Sequence, residues 1–120
     1  MVECIIVGAG GFIGAVMRYL IGIIPMTPES GFPIKTFVIN IAGAFLIGIV
    51  AALAARNSLD PKVSLFLKVG ICGGFTTFSS FALETNQLMA KGQVATSACY
   101  VVLSVLFGVL AVLAAQKFFA

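Results

Sequence analysis

The chain contains no histidine, and its few acidic residues are not paired along the sequence. The usual acid–base and nucleophile constellations are therefore absent, because there is no imidazole, no thiol beside a base and no pair of carboxylates. No phosphate-binding loop is present to couple transport to ATP. We expect a protein that is not an enzyme and that has no nucleic-acid partner.

Cysteine is also scarce. Cys4, Cys72 and Cys99 all lie within apolar stretches and lack the paired spacing of a metal or redox site. We interpret all three as small packing residues, because an unpaired cysteine behaves as a small hydrophobic side chain.

Charged residues are scarce as well, and their scarcity indicates that the protein lies in a membrane. Charged residues make up 9% of the chain and hydrophobic residues 61%, with a mean hydropathy of +1.18, whereas soluble domains contain about a quarter charged residues. The sequence predicts an all-α, multi-pass protein of the cell (inner) membrane, surrounded by lipid. Spans of about 20 residues fit four times, at residues 4–24, 34–55, 63–89 and 95–119, so residues 1–120 are predicted to form a single transmembrane domain.

The basic residues are divided almost evenly between the two membrane faces. One face receives Arg56, Lys62, Lys117 and the deeper Lys68, and the other receives Lys35, Lys91 and the deeper Arg18. Because an excess of basic residues in cytoplasmic loops normally sets orientation, this near tie favours insertion both ways up. Two oppositely oriented chains could then form an antiparallel homodimer with a two-fold interface. The alternative is that the small bias still fixes one orientation.

One stretch departs from the pattern of a lipid-facing helix. Residues 70–81 read GICGGFTTFSSF, with three glycines and four hydroxyl side chains inside the third apolar segment. Every backbone polar group needs a partner in hydrocarbon, so such a segment should be buried between helices or line a wet cavity. A break in the third helix is one way for such a segment to be accommodated.

Polar side chains in the other spans are candidates for the same site. Arg18 is an intramembrane cation, which either turns inward or snorkels to the surface. Asn40 is the only carboxamide deep in a span, and its amide could donate to an anion or join two helices. In the last span, Thr96, Tyr100 and Ser104 repeat every four residues, which is typical of a packing seam or a pore wall. From spacing alone, Phe78 and Phe81 are more typical of packing than of an anion site.

Taken together and in order, these pieces resemble the small fluoride channels of the Fluc or CrcB family over nearly the whole chain. The matching pieces are GGFIGAVMRY at residues 10–19, NIAG at residues 40–43, the 70–81 stretch, and Tyr100 with Ser104. Each glycine-rich fragment is weak evidence by itself. Their order across four spans makes the resemblance specific.

The resemblance implies a dual-topology homodimer with two fluoride pathways and a sodium ion at the subunit interface. The helix break would fall at residues 73–77, and the main-chain carbonyls of Gly73 and Thr76 of both subunits would hold the sodium. The implied ion pathway contains the aromatic pair Phe78 and Phe81, Asn40, and the hydroxyls of Ser80, Tyr100 and Ser104. Thr77, which lies between these residues, and Arg18, as a vestibule cation, complete the predicted set.

The expected function is passive efflux of fluoride, which protects the cell from fluoride toxicity. Neutral donors suit this task, because conduction needs binding that is favourable enough to enter and weak enough to leave. Two alternatives are a small proton-coupled multidrug exporter and a non-transporting assembly subunit. The exporter should have an acidic residue in the middle of its first span, where this chain has only Glu3 at the edge, and the assembly subunit leaves Asn40 unexplained.

Overall fold

The chain folds into helices only, and the computed structural model describes all 120 residues. Four helical stretches are long and apolar enough to cross a membrane, namely Val2–Gly22 (α1), Ile34–Ala55 (α2), Pro61–Ala90 (the third span) and Val94–Phe119. The prediction of an all-α protein with four membrane spans is therefore confirmed.

The third span consists of several pieces. It contains α3 (Pro61–Leu65), a π-helical segment (Phe66–Cys72), α4 (Gly73–Phe75) and α5 (Phe78–Ala90), so the last helix of the chain, Val94–Phe119, is α6. Between α4 and α5, Thr76 has φ −80° and ψ 155° and Thr77 has φ −148° and ψ 117°, which are extended conformations. The third helix is thus broken in mid-span, as predicted.

The break lies within the predicted range but is shorter. The break was expected over residues 73–77, but Gly73 keeps helical angles of φ −63° and ψ −37°, and only Thr76 and Thr77 are extended. Of these residues, Gly74 serves close packing instead, since a Cβ on it would lie 2.5 Å from the carbonyl oxygen of Gly11 in α1. The π-helical segment before them was not predicted.

Helix ends also shift by one or two residues from the predicted bounds. The second span begins and ends as predicted, whereas α1 covers Val2–Gly22 rather than 4–24. Pro25 explains its earlier end, because the residue before a proline disfavours helical geometry. The third span begins at Pro61, two residues early, because the Asp60 side chain accepts a hydrogen bond from Lys62 N at 2.8 Å and caps the helix. The last helix begins at Val94, one residue early.

The helices pack in two groups. In the first group, α1 packs against the π-helical segment and α4. In the second group, α6 packs against both α2 and α5. Only 15 of the 120 residues are buried within the chain. The outer apolar side chains are therefore left for lipid or a second subunit, as in other membrane proteins where apolar residues face hydrocarbon.

Glycines allow α1 to approach the third span at backbone contact. Gly10 is buried, and a Cβ added to it would lie 2.6 Å from the carbonyl oxygen of Phe66 and 2.8 Å from the Cα of Gly70. Both neighbours are backbone atoms of the third span. Small residues commonly permit such close approach between membrane helices.

We expect Gly10→Ala to lower the free energy of unfolding by about 1–3 kcal/mol, because the added methyl group overpacks a backbone contact. Gly8→Ala is the matched control, since nothing lies within 4 Å of a Cβ at that position of the same helix. The measurement is thermal unfolding of the purified proteins in detergent, followed by circular dichroism. Equal stability of the two variants would contradict the close approach.

Candidate ion pathway

The helix break is held by the side chain of Asn40 in α2. Asn40 Nδ2 donates to the carbonyl oxygen of Thr77 at 3.1 Å, and Asn40 Oδ1 accepts from the backbone N–H of Thr77 at 2.8 Å. One carboxamide therefore pairs both backbone polar groups of Thr77, which the break leaves without a helical partner. We call this pair of hydrogen bonds the Asn40–Thr77 clamp. It leaves one of the two amide hydrogens of Asn40 for another acceptor.

Gly43, one turn after Asn40, makes room for the other residue of the break. A Cβ on Gly43 would collide with the methyl group of Thr76. The hydroxyl of Thr76 donates to the carbonyl oxygen of Cys72 at 2.8 Å, which is the carbonyl that also accepts from Thr76 N. The hydroxyl of Thr76 is therefore already hydrogen-bonded within its own span. The group of Thr76 that remains for a ligand is its main-chain carbonyl.

The carbonyls of Gly73 and Thr76 lose the donors that a continuous helix would give them. Those donors are the N–H groups of Thr77 and Ser80, which bind Asn40 Oδ1 and Thr77 Oγ1 respectively. Gly73 is exposed on the single chain, and a Cβ there would meet nothing within 4 Å. Main-chain oxygens are hard donors of the kind that bind dehydrated alkali cations. The two residues predicted for sodium thus have the donor chemistry that the ion requires.

On the other side of the break, the first N–H groups of α5 have no acceptor within the helix. Thr77 is the N-cap and accepts from Ser80 N at 3.2 Å, while the preceding N–H groups of the first turn have no intrahelical acceptor. The N-terminus of a helix carries partial positive charge. This end of α5 therefore favours an anion.

Beside that helix end lies an open cavity of about 370 Å³, which we call the phenylalanine cavity. Its lining includes the predicted pathway residues Asn40, Thr77, Phe78, Phe81 and Ser104. The rings of Phe78 and Phe81 lie 5.7 Å apart between centroids and are tilted by 49°. Ring edges are electropositive, so this cavity combines apolar walls with weak donors and contains no ionised side chain.

Ser104 supplies an unused polar atom to the phenylalanine cavity. Its hydroxyl oxygen is buried, and it has no hydrogen-bond partner in the chain. Buried hydroxyls are normally paired, because an unpaired one loses the hydrogen bonds it made with water. The Ser104 hydroxyl is therefore a donor and acceptor that no other group of the chain uses.

A second cavity, of about 490 Å³, opens at the membrane end where α1 finishes and α2 begins, and we call it the mouth cavity. Arg18, Thr77, Ser80 and Glu84 are among its lining residues. Arg18 turns inward, and its Nε donates to the carbonyl oxygen of Gly74 at 3.2 Å. Thr77 lines both cavities and so lies between them.

Glu84 forms a buried polar cluster between the mouth cavity and α6. Its carboxylate accepts from Thr36 Oγ1 at 2.7 Å and from the Tyr100 hydroxyl at 2.8 Å. The Tyr100 ring lies between Phe32 and Phe81, with centroid distances of 5.4 Å and 5.0 Å. Tyr100 itself is 0% exposed and lines neither cavity. The hydroxyls of Tyr100 and Ser104 therefore do not share one cavity.

The predicted pathway residues thus fall into two adjoining groups. The mouth cavity brings together Arg18, Ser80 and Thr77, and the phenylalanine cavity brings together Thr77, Asn40, Phe78, Phe81 and Ser104. Tyr100 connects the groups by contacting Phe81 and Glu84. Sequence reasoning did not assign Thr36 to the site, although its spacing of four from Asn40 puts both on one face of α2.

The sequence of the chain matches a known protein family. Residues 5–116 match the family described as CrcB-like protein, Camphor Resistance (CrcB). The chain belongs to the CrcB family. The resemblance inferred from the four sequence pieces is therefore confirmed.

Several relatives in the CrcB family share the name "fluoride-specific ion channel FluC". The relative from Nitrobacter winogradskyi is 47% identical over 110 residues, covering 90% of this chain and 87% of the relative. The relative from Ruminiclostridium cellulolyticum is 46% identical over 109 residues, covering 89% and 84%. The relative from Chlorobium phaeobacteroides is 42% identical over 107 residues, covering 88% and 84%.

The Asn40–Thr77 clamp gives a stability prediction for this CrcB chain. Asn40→Ala should lower the free energy of unfolding by about 1–3 kcal/mol, because it leaves the N–H and C=O of Thr77 unpaired in an apolar interior. Asn86→Ala is the control, since Asn86 is exposed on α5 and its side chain makes no hydrogen bond. Chemical or thermal unfolding in detergent measures the difference. A loss no larger than that of Asn86→Ala would mean that the clamp does not hold the break.

Proposed function

We propose that this chain is a fluoride channel of the cell membrane, giving passive efflux of fluoride and protection from fluoride toxicity. Its family membership and the names of its relatives support this function. The structural observation that supports it most is the phenylalanine cavity, which is lined by Asn40, Ser104 and the two phenylalanine rings and has no ionised side chain. These donors are neutral, which suits an ion that must leave as readily as it enters.

The proposed path begins in the mouth cavity and continues past Thr77 into the phenylalanine cavity. Arg18 raises the concentration of anions at the start of the path, since a cation in the wall of a cleft attracts them. Beyond Thr77, the free amide hydrogen of Asn40, the Ser104 hydroxyl and the edges of the phenyl rings replace water around fluoride. Ser80 contributes a hydroxyl to the mouth cavity, whereas Tyr100 acts from behind the wall, by packing against Phe81 and donating to Glu84.

The functional unit in this proposal is an antiparallel homodimer with two pathways. The nearly equal charge of the two ends supports insertion in both orientations. The exposed apolar faces of the chain leave surface for a second copy, and Gly73 lies exposed next to the helix break. A two-fold axis beside that break would bring the carbonyls of Gly73 and Thr76 of one subunit close to those of the other.

A sodium ion is the proposed structural ligand at this interface. The main-chain oxygens of Gly73 and Thr76 from both subunits would hold it, because their usual helical donors are engaged elsewhere. When bound, the ion supplies a fixed positive charge that offsets the carbonyl dipoles and joins the two subunits. The side chain of Thr76 already binds Cys72 and takes no part.

The proposed function is tested by fluoride efflux from liposomes that contain the purified protein, followed with a fluoride electrode. We expect rapid passive efflux of fluoride and chloride efflux near that of protein-free liposomes, because the pathway presents weak donors in a narrow apolar setting. No fluoride efflux, or chloride efflux at an equal rate, would contradict the proposal.

A matched pair of variants belongs to the same assay. Phe81→Ile removes an electropositive ring edge from the phenylalanine cavity and should abolish most of the flux. Phe118→Ile makes the same chemical change at a side chain that is 81% exposed near the end of α6 and should leave the flux unchanged. Equal rates in the two variants would mean that the rings only pack.

Removal of sodium tests the proposed interface ion. Replacing sodium with a large organic cation should lower the thermal stability of the dimer and reduce fluoride efflux, because the carbonyls of Gly73 and Thr76 lose their ligand. Lithium and potassium should restore stability less well than sodium. The measurements are the melting temperature and the dimer fraction on size-exclusion chromatography, with efflux as a second readout. Unchanged stability and efflux without sodium would refute the ion.

A further inference from the structure

Lys35, in the first turn of α2, holds a fixed position over the end of α1. Its Nζ donates to the carbonyl oxygen of Gly22 at 2.8 Å and to that of Ile24 at 3.1 Å. An ammonium group has three donors, so one hydrogen remains for another acceptor. Lys35 also lines the mouth cavity, together with Arg18.

Neither cation of the mouth cavity is neutralised by a carboxylate. The single ion pair of the chain joins the N-terminal amine to Glu3, far from this cavity. Glu84 is the only acidic residue that lines the mouth cavity, and its two carboxylate oxygens accept from the hydroxyls of Thr36 and Tyr100. The ionised side chains of the cavity are therefore two cations and one hydroxyl-bound carboxylate.

Lys35 also changes the electrostatic potential at the C-terminus of α1. The C-terminus of α1 carries partial negative charge on its unpaired carbonyls, which repels an approaching anion. The ammonium group covers the Gly22 carbonyl at the end of α1 and the Ile24 carbonyl just beyond it, and so replaces a negative surface with a positive one. A neutral side chain at residue 35 would expose the carbonyls of Gly22 and Ile24 to the cavity.

We propose that Lys35 is an anion-capturing residue, which concentrates fluoride in the mouth cavity before it reaches Thr77. This inference rests on the proposed function, since it assigns a residue to the first step of fluoride conduction. The residue acts through its charge, from outside the narrow part of the path. Its effect should therefore depend strongly on ionic strength, in contrast to that of a residue that only fixes the structure.

The test compares Lys35→Gln with wild type at about 20 mM and about 1 M ionic strength, where screening lengths differ several-fold. The probe is sodium fluoride at one fixed concentration, with sodium gluconate to adjust the ionic strength, and the readout is the initial rate of efflux from liposomes. At low ionic strength, loss of one nearby charge should reduce the rate by about threefold. At high ionic strength the two rates should agree.

Lys91→Gln is the matched control. Lys91 lies at the same membrane end, is exposed and lines neither cavity, so the variant removes an equal charge from that end without altering the mouth. It should conduct like wild type at both ionic strengths. Lys35→Arg keeps the charge and should retain the wild-type rate and its dependence on salt.

The outcomes separate the two proposals. A salt-dependent loss in Lys35→Gln alone supports anion capture. A loss that is equal at both ionic strengths identifies Lys35 as a structural cap of α1 and overturns the inference, as does a rate equal to that of Lys91→Gln at low ionic strength. Neither result contradicts the proposed function, because the wild-type protein still conducts fluoride. Absence of fluoride efflux from the wild-type protein would overturn both the proposed function and this inference.

Discussion

The Asn40–Thr77 clamp is the interaction on which the rest of the site depends. A broken helix inside hydrocarbon exposes backbone groups that cost several kcal/mol each when they remain unpaired. Asn40 satisfies both polar groups of Thr77 with one side chain, at 3.1 Å and 2.8 Å. Gly43 on the same face of α2 lets Thr76 approach. The break therefore persists because α2 replaces the hydrogen bonds that the helix gives up.

Breaking the helix creates two ends of opposite polarity within one span. The carbonyls of Gly73 and Thr76 finish the first half, and the start of α5 lies beside the phenylalanine cavity, which Thr77 and Phe78 line. Other membrane transporters use such half-helix ends in the same way, with carbonyls toward cations and N–H groups toward anions. In the proposed dimer, one backbone feature thus provides both the sodium ligands and part of the fluoride path.

The sequence alone allowed much of the fold to be predicted, because hydropathy and short loops define four spans. The glycines and hydroxyls of the third span indicated that a break was possible and the family resemblance located it at residues 73–77, but its restriction to Thr76 and Thr77 was not predicted. Gly74 serves contact with Gly11 in α1, a requirement that only tertiary packing reveals. The same limit applies to Lys35, whose partners Gly22 and Ile24 lie across a proline-rich loop, and to Glu84, whose partners come from α2 and α6.

An experimental structure of the purified protein in sodium fluoride tests the central claim most directly, because it shows the break and the arrangement of subunits together. We expect extended backbone at Thr76 and Thr77, the Asn40 carboxamide within hydrogen-bonding distance of Thr77 N and O, and two antiparallel chains meeting beside Gly73. A helix that continues through residues 73–80, or two chains in parallel orientation, would contradict the account.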